Sequence, residues 1–199
     1  MKILIAIMMV CLIGYASYAS GNHKTSVDFS PSTETSKPIV GSTPKETIKP
    51  SREPFDIGMS QNYEKADIIN KHLKGGLAGK GRTFVSAGLL HNVNPFLLAS
   101  ISIHETGNGT SKILREKNNV AGLMKNGITF RSYKSIDDSI FWFANLLEDY
   151  YIAGGRNDLE SIGRKFCPVG AKNDPTGLNQ HWIPNIEKIY ERMTAEWTK

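Results

Sequence analysis

Ile101-Ser102-Ile103-His104-Glu105-Thr106-Gly107-Asn108-Gly109-Thr110-Ser111 decides how the rest of the chain is read. An apolar, helix-like run ends in one acid, Glu105, and a glycine-punctuated turn follows at once. Upstream, Asn94-Pro95 supplies a helix start, with Asn as the cap and Pro at the first helical position, so the spacing predicts a helix over 95–105. Phe96, Leu97, Leu98, Ala99, Ile101 and Ile103 make that helix apolar nearly all round, as expected at a domain centre. Glu105 then stands at the negative end of the helix dipole among apolar neighbours. Both effects disfavour the carboxylate and hold the acid protonated near neutral pH, as a general acid requires. The same spacing also fits an exposed Glu at a helix end, held by a Lys or Arg.

Outward from this stretch the pattern is one of helices joined by short turns. Helices are expected over 66–73, over 82–91 with Phe84, Val85, Leu89 and Leu90 on one side, and over 111–117. Asn126-Gly127 signals a hairpin between 120–124 and 128–133. Ser135-Ile136-Asp137-Asp138 reads as the cap of a helix over 136–151, followed by a shorter helix over 158–165. A Pro/Gly loop spans 167–178, and a last helix runs over 182–197. The order predicts an α+β domain dominated by α, with the hairpin as a minor lobe.

The N-terminal sixty residues have another composition. Lys2, the uncharged run 3–16 and Ser17-Tyr18-Ala19 have the layout of a signal peptide over 1–19, which implies export; an uncleaved leader would instead be a membrane anchor. Cys11 lies inside the apolar run, so removal of the leader leaves Cys167 as the single cysteine and no internal disulfide. Residues 20–60 hold Pro31, Pro38, Pro44, Pro50 and Pro54, five of the nine prolines, among Ser, Thr and Lys. Such a segment cannot bury enough apolar surface to offset its chain entropy and reads as a disordered spacer. The domain is therefore expected over 61–199, where 18 Lys and Arg face 14 Asp and Glu. This basic excess suits an anionic polymer, and equally suits mere solubility.

His104-Glu105 is not followed by a second His four residues after the first, so a zinc-protease reading fails. The other histidines show no ligand spacing, and neither metal nor cofactor is expected. Gly107 and Gly109 permit a sharp turn, either for the approach of a ligand to the backbone or as a helix cap. Ser111 either donates to the acid or caps the next helix. Asn118 and Asn119 either bind a ligand amide or brace the hairpin.

Three stretches extend the pattern. Leu77-Ala78-Gly79-Lys80-Gly81-Arg82-Thr83-Phe84, Val93-Asn94-Pro95 and His104 through Ser111 resemble the bacterial peptidoglycan endo-β-N-acetylglucosaminidases, the autolysin-type glucosaminidases of glycoside hydrolase family 73. Asn118-Asn119-Val120-Ala121-Gly122-Leu123 resembles their Asn-Asn-Leu-Phe-Gly-Ile segment, and Phe130-Arg131-Ser132-Tyr133-Lys134-Ser135 their Phe-Arg-x-Tyr-x-Ser. Cys167-Pro168 through Asn179 and Trp182 is similar to their closing Ala-Pro…Asn…Trp stretch, so the likeness runs over about residues 62–195. It implies a lysozyme-like fold, Glu105 as catalytic acid, and the β-1,4 bond after N-acetylglucosamine in wall glycan as target. Glycan strands are then the partner of a secreted, cell-envelope protein, expected to be a monomer and to bind no nucleic acid. Tyr133, Phe166 and Trp182 are the aromatic candidates for the glycan, with Gly107, Ser111, Asn118, Asn119 and Asn179 as polar or backbone contacts.

Two departures from the family bear on mechanism. No Asp or Glu occurs between Glu116 and Asp137, where many members carry a second carboxylate. Asp137 and, further off, Asp174 are the substitutes. Phe166 also stands where the family often has Tyr. A substrate-assisted route, in which the sugar's own 2-acetamido oxygen attacks, needs only one protein acid and is the favoured expectation. A lytic transglycosylase and a non-catalytic glycan-binding or assembly module are the competing readings.

Overall fold

A computed structural model describes residues 57–125, 127–172 and 174–198. The expected leader, most of the spacer and Asn126 lie outside the described residues. The elements in order are α1 (Ile57–His72), α2 (Gly81–Leu90), α3 (Pro95–Glu105), α4 (Lys112–Lys117), β1 (Met124–Lys125), β2 (Thr129–Phe130), α5 (Ile136–Leu147), α6 (Leu159–Phe166) and α7 (Trp182–Trp197). This is the expected α+β architecture dominated by helices. α1 begins ahead of the expected boundary at residue 61.

α3 is the central post. Asn94 Oδ1 accepts from the Phe96 and Leu97 amides at 2.9 and 3.3 Å, satisfying N–H groups that the helix itself leaves free. Pro95 follows at a position where its missing donor costs nothing. Phe96 and every residue from Leu98 to Ile103 are buried, and α3 packs between α2 and α7. α1 lies across α2 and α7, α5 backs α2, and α6 leans on α7. Phe166 joins these layers: its ring lies 6.2 Å from Phe143, 6.1 Å from Tyr151 and 5.2 Å, stacked, from Trp182. Gly163 lets α6 close on α7, since a methyl group there would come within 2.6 Å of Ile183.

The structure departs from the sequence reading in four places. Leu89 and Leu90 were expected beside Phe84 and Val85, but lie in the last turn of α2 and are 60% and 68% exposed. α5 stops at Leu147 and gives way to a widened turn over Glu148–Ile152, where the Ala153 amide donates to Glu148 O. The extra residue in that turn carries Tyr151 into the core. The hairpin is shorter than expected, with Met124 opposite Phe130 and Lys125 opposite Thr129. Finally, Cys167 is buried and is not a free thiol, against the expectation of a lone cysteine; Cys11 lies outside the described residues.

Candidate active site

Glu105 is the last residue of α3, and three distant parts of the chain meet at its carboxyl. Trp182, the first residue of α7, donates from Nε1 to Glu105 Oε1 at 2.7 Å. The indole is fully buried, clamped between Phe166 and the bare face of Gly163, so the donor cannot swing away. On the other side lies Gly122, from the segment leading into the hairpin lobe. A methyl group there would stand 3.5 Å from Glu105 Oε2, and the backbone has φ +61°. The distance leaves room for a methyl group, but the left-handed backbone favours glycine.

Burial pushes the Glu105 carboxyl up to about 8, against a smaller opposing pull from the Trp182 N–H. Taken over all its atoms, the residue is half-buried. At neutral pH it is predominantly protonated and able to give a proton. His104 beside it is held neutral: burial lowers its pKa, and Nε2 is buried without a hydrogen bond.

The turn after Glu105 is anchored to the end of α1. Asn108 Oδ1 accepts from the Lys74 amide at 3.1 Å, and its Nδ2 donates to His72 O at 3.2 Å. The Gly76 amide donates to Gly109 O at 2.9 Å. Buried Thr106 ties the turn inward, donating to Ser102 O at 2.6 Å and accepting from the Gly109 amide at 3.0 Å. The two glycines do different work here. Gly109 is pressed against backbone, since a methyl group there would lie 2.0 Å from Lys74 O. Gly107 is exposed at φ +55° and is the one that leaves its backbone approachable.

The structure brings Glu105 and Trp182 together and gives most other candidates a bracing part. Ser111 caps α4, accepting from the Leu114 amide at 3.2 Å. Asn118 Nδ2 donates to Tyr133 O and Lys134 O at 3.0 and 3.3 Å. Asn119 is buried and fully engaged: it donates to Leu123 O and Arg131 O and accepts from the Leu123 and Ala121 amides. These bonds hold the base of the hairpin lobe. Tyr133 is half-buried against Trp142, with ring centroids 5.9 Å apart. Phe166 was expected to meet the glycan; it is fully buried, and its faces are covered by other aromatics. Trp182, the other buried candidate for the glycan, is wholly core, and only its N–H meets the acid.

The two substitute carboxylates are both engaged elsewhere. Asp137 takes Lys80 Nζ at 2.7 Å and Thr83 Oγ1 at 2.6 Å, clasping α5 to α2, and these donors hold its carboxyl below the usual range. Asp174 accepts from the Leu178 and Asn179 amides at 2.8 and 2.9 Å, and so closes the loop before Trp182. Asn179 is buried there and donates to Pro168 O at 2.8 Å. A cavity of about 360 Å³ opens beside it between α6 and α7, but neither Glu105 nor Gly122 lines it. Among the described residues, no group of three His, Cys, Asp or Glu is placed to hold a metal ion.

A mostly helical fold that carries one neutral acid at a helix end has a proton to give, as cleavage of a glycosidic bond requires. The family model described as "Glucosaminidase: Mannosyl-glycoprotein endo-beta-N-acetylglucosaminidase" matches residues 81–194, more than half of the chain, and the chain belongs to that family. Among solved structures it is similar to S. aureus autolysin E in complex with the muropeptide NAM-L-ALA-D-iGLU, at 20% identity and a TM-score of 0.53, over 69% of this chain and 68% of that one. A catalytic mutant of autolysin E in complex with the disaccharide NAG-NAM matches with the same values. No curated protein matches the chain in sequence.

Proposed function

We propose that this glycoside hydrolase is an exported cell-wall enzyme that cuts the β-1,4 bond after N-acetylglucosamine in peptidoglycan, with Glu105 as general acid. The observation that carries the proposal is the state of Glu105: protonated by burial and fixed at Oε1 by Trp182, beside the exposed turn at Gly107. The autolysin E complexes, which hold a muropeptide and a wall disaccharide in a similar fold, support peptidoglycan as the substrate. The leader-like residues 1–19 and the spacer-like residues 20–60 support export and reach into the wall mesh.

In this mechanism, Glu105 protonates the glycosidic oxygen as the bond to the anomeric carbon breaks. The acetamido oxygen of the same sugar closes on that carbon from the opposite face. Water, deprotonated by the Glu105 carboxylate, then opens the ring intermediate with net retention. The engagement of Asp137 by Lys80 and Thr83, and of Asp174 by backbone amides, supports a one-acid route. Gly107, Tyr133 and the backbone at Gly122 are the contacts we assign to the glycan.

The test is product analysis of digested peptidoglycan, wild type beside Glu105→Gln. The proposal expects new reducing N-acetylglucosamine ends, formed first as the retained anomer, and none from the variant. Inverted product returns Asp137 or Asp174 to the mechanism. A 1,6-anhydro end identifies a transglycosylase, and binding without any cut identifies a non-catalytic module.

A further inference from the structure

Behind the active-site turn lies a second cavity, of about 190 Å³, enclosed by the end of α1, the turn at Asn108 and α7. Its floor is apolar, made by Ile103 and Ile189. Its rim is basic, made by Lys71, Lys74 and Arg192, with the His72 ring beside them. Ile103 and Glu105 are two residues apart on α3 and face different sides of the helix, so this cavity is not part of the catalytic cleft.

The rim charges are unevenly compensated. Glu196 takes Lys71 Nζ at 3.1 Å and His72 Nε2 at 2.8 Å. Lys74 and Arg192 have no carboxylate partner among the described residues; Arg192 Nε donates only to Lys188 O, one turn back on α7. Two uncompensated cations beside apolar side chains suit an anionic group that also carries some apolar surface. A bare phosphate would satisfy the cations without touching the small apolar surface that Ile103 and Ile189 present.

We propose that this cavity is an anion site, separate from the catalytic acid, that takes a terminal carboxylate on a short alkyl stem. The guanidinium of Arg192 offers a planar fork for the carboxylate, Lys74 adds a point charge, and the stem lies on the two isoleucines. In the wall, the terminal carboxylate of a peptide side chain has this chemistry; that identity rests on the proposed peptidoglycan function, while the site itself does not. Lys74 is also the residue whose amide holds Asn108, so a ligand here would brace the turn that follows Glu105.

The experiment is a titration of the nitrogen-15-labelled protein with N-acetylalanine, its neutral methylamide and glycerol 1-phosphate. N-acetylalanine is expected to shift the Lys74 and Asn108 amide signals, with binding that weakens as salt is added. Replacing both cations (Lys74→Gln with Arg192→Gln) is expected to weaken it at least about tenfold, the cost of losing charged hydrogen bonds. Both side chains are exposed, and an unchanged spectrum elsewhere shows that the fold survives. No shift, equal binding of the neutral amide, or glycerol phosphate binding as tightly would each overturn the site. The same titration on Glu105→Gln separates the two proposals: carboxylate binding there with no wall cleavage by wild type sinks the peptidoglycan reading and leaves the pocket.

Discussion

The junction of α3 with α7 and the junction of α2 with α5 each hold a carboxyl group, and the two behave in opposite ways. At the first, Glu105 meets one neutral donor, Trp182, inside apolar crowding, and its pKa rises to about 8. At the second, Asp137 meets a lysine and a hydroxyl near the surface, and its pKa falls. The donors differ by a charge and the sites differ in their access to water, which is enough to make one group an acid and the other a clasp. In the proposed mechanism, the surroundings decide which carboxyl does chemistry, and the contrast can be attacked from both sides.

The largest effect is expected at Glu105. Glu105→Gln keeps an acceptor for Trp182 but has no proton to give, and wall hydrolysis should fall by about 10²–10⁴-fold, as for loss of a general acid. The same variant should be the more stable protein at alkaline pH. A carboxyl whose folded pKa lies above its unfolded value favours the fold fully below about 4.5, and that advantage is lost as pH rises to about 8. The variant's relative stability, measured by urea denaturation, should therefore climb through that window by on the order of a few kcal/mol and then level off.

Gly122→Ala comes next. It places a methyl group 3.5 Å from Oε2 and forces a left-handed backbone on Ala, at about 1–2 kcal/mol. Turnover should fall roughly tenfold, at a stability loss equivalent to that strain alone. Trp182→Phe keeps an aromatic ring against Phe166 and removes the N–H. The basic limb of the pH–kcat/KM profile should then move to higher pH, because a donor that favours the carboxylate is gone. An unmoved limb would mean that the hydrogen bond does not tune the acid.

Asp137→Asn should matter least. Its pair with Lys80 is partly exposed, so stability should change by about 0–1 kcal/mol. Its lowered pKa contributes stability above the unfolded value that is lost as pH falls through the folded one, so the difference from wild type should vanish in strong acid. A wild-type rate is expected. A loss of the order seen for Glu105→Gln would break the contrast and make Asp137 the missing partner.

Much of this was legible in the sequence because it is local. Asn94-Pro95, Ser111 and Ser135 start helices by contacts within three residues, and each does so in the structure. The apolar run of α3 and the acid at its end could be read the same way. What escaped depends on contacts between distant segments. Trp182 meets Glu105 across 77 positions, and no spacing encodes that. Phe166 looks like a surface aromatic until Gly163 brings α7 down on α6. Gly122 could be quoted as part of a family motif, but its left-handed backbone beside the Glu105 carboxyl exists only in three dimensions. Leu89 and Leu90 fit an apolar face by periodicity, yet in the last turn of α2 they are exposed.

The central claim is that Glu105 is a neutral acid at physiological pH, and the most direct measurement is its own titration. Carbon-13 detection of the side-chain carboxyl, assigned by its absence in Glu105→Gln, should give a midpoint near 8. A midpoint in the ordinary glutamate range, about 4–5, would contradict the account.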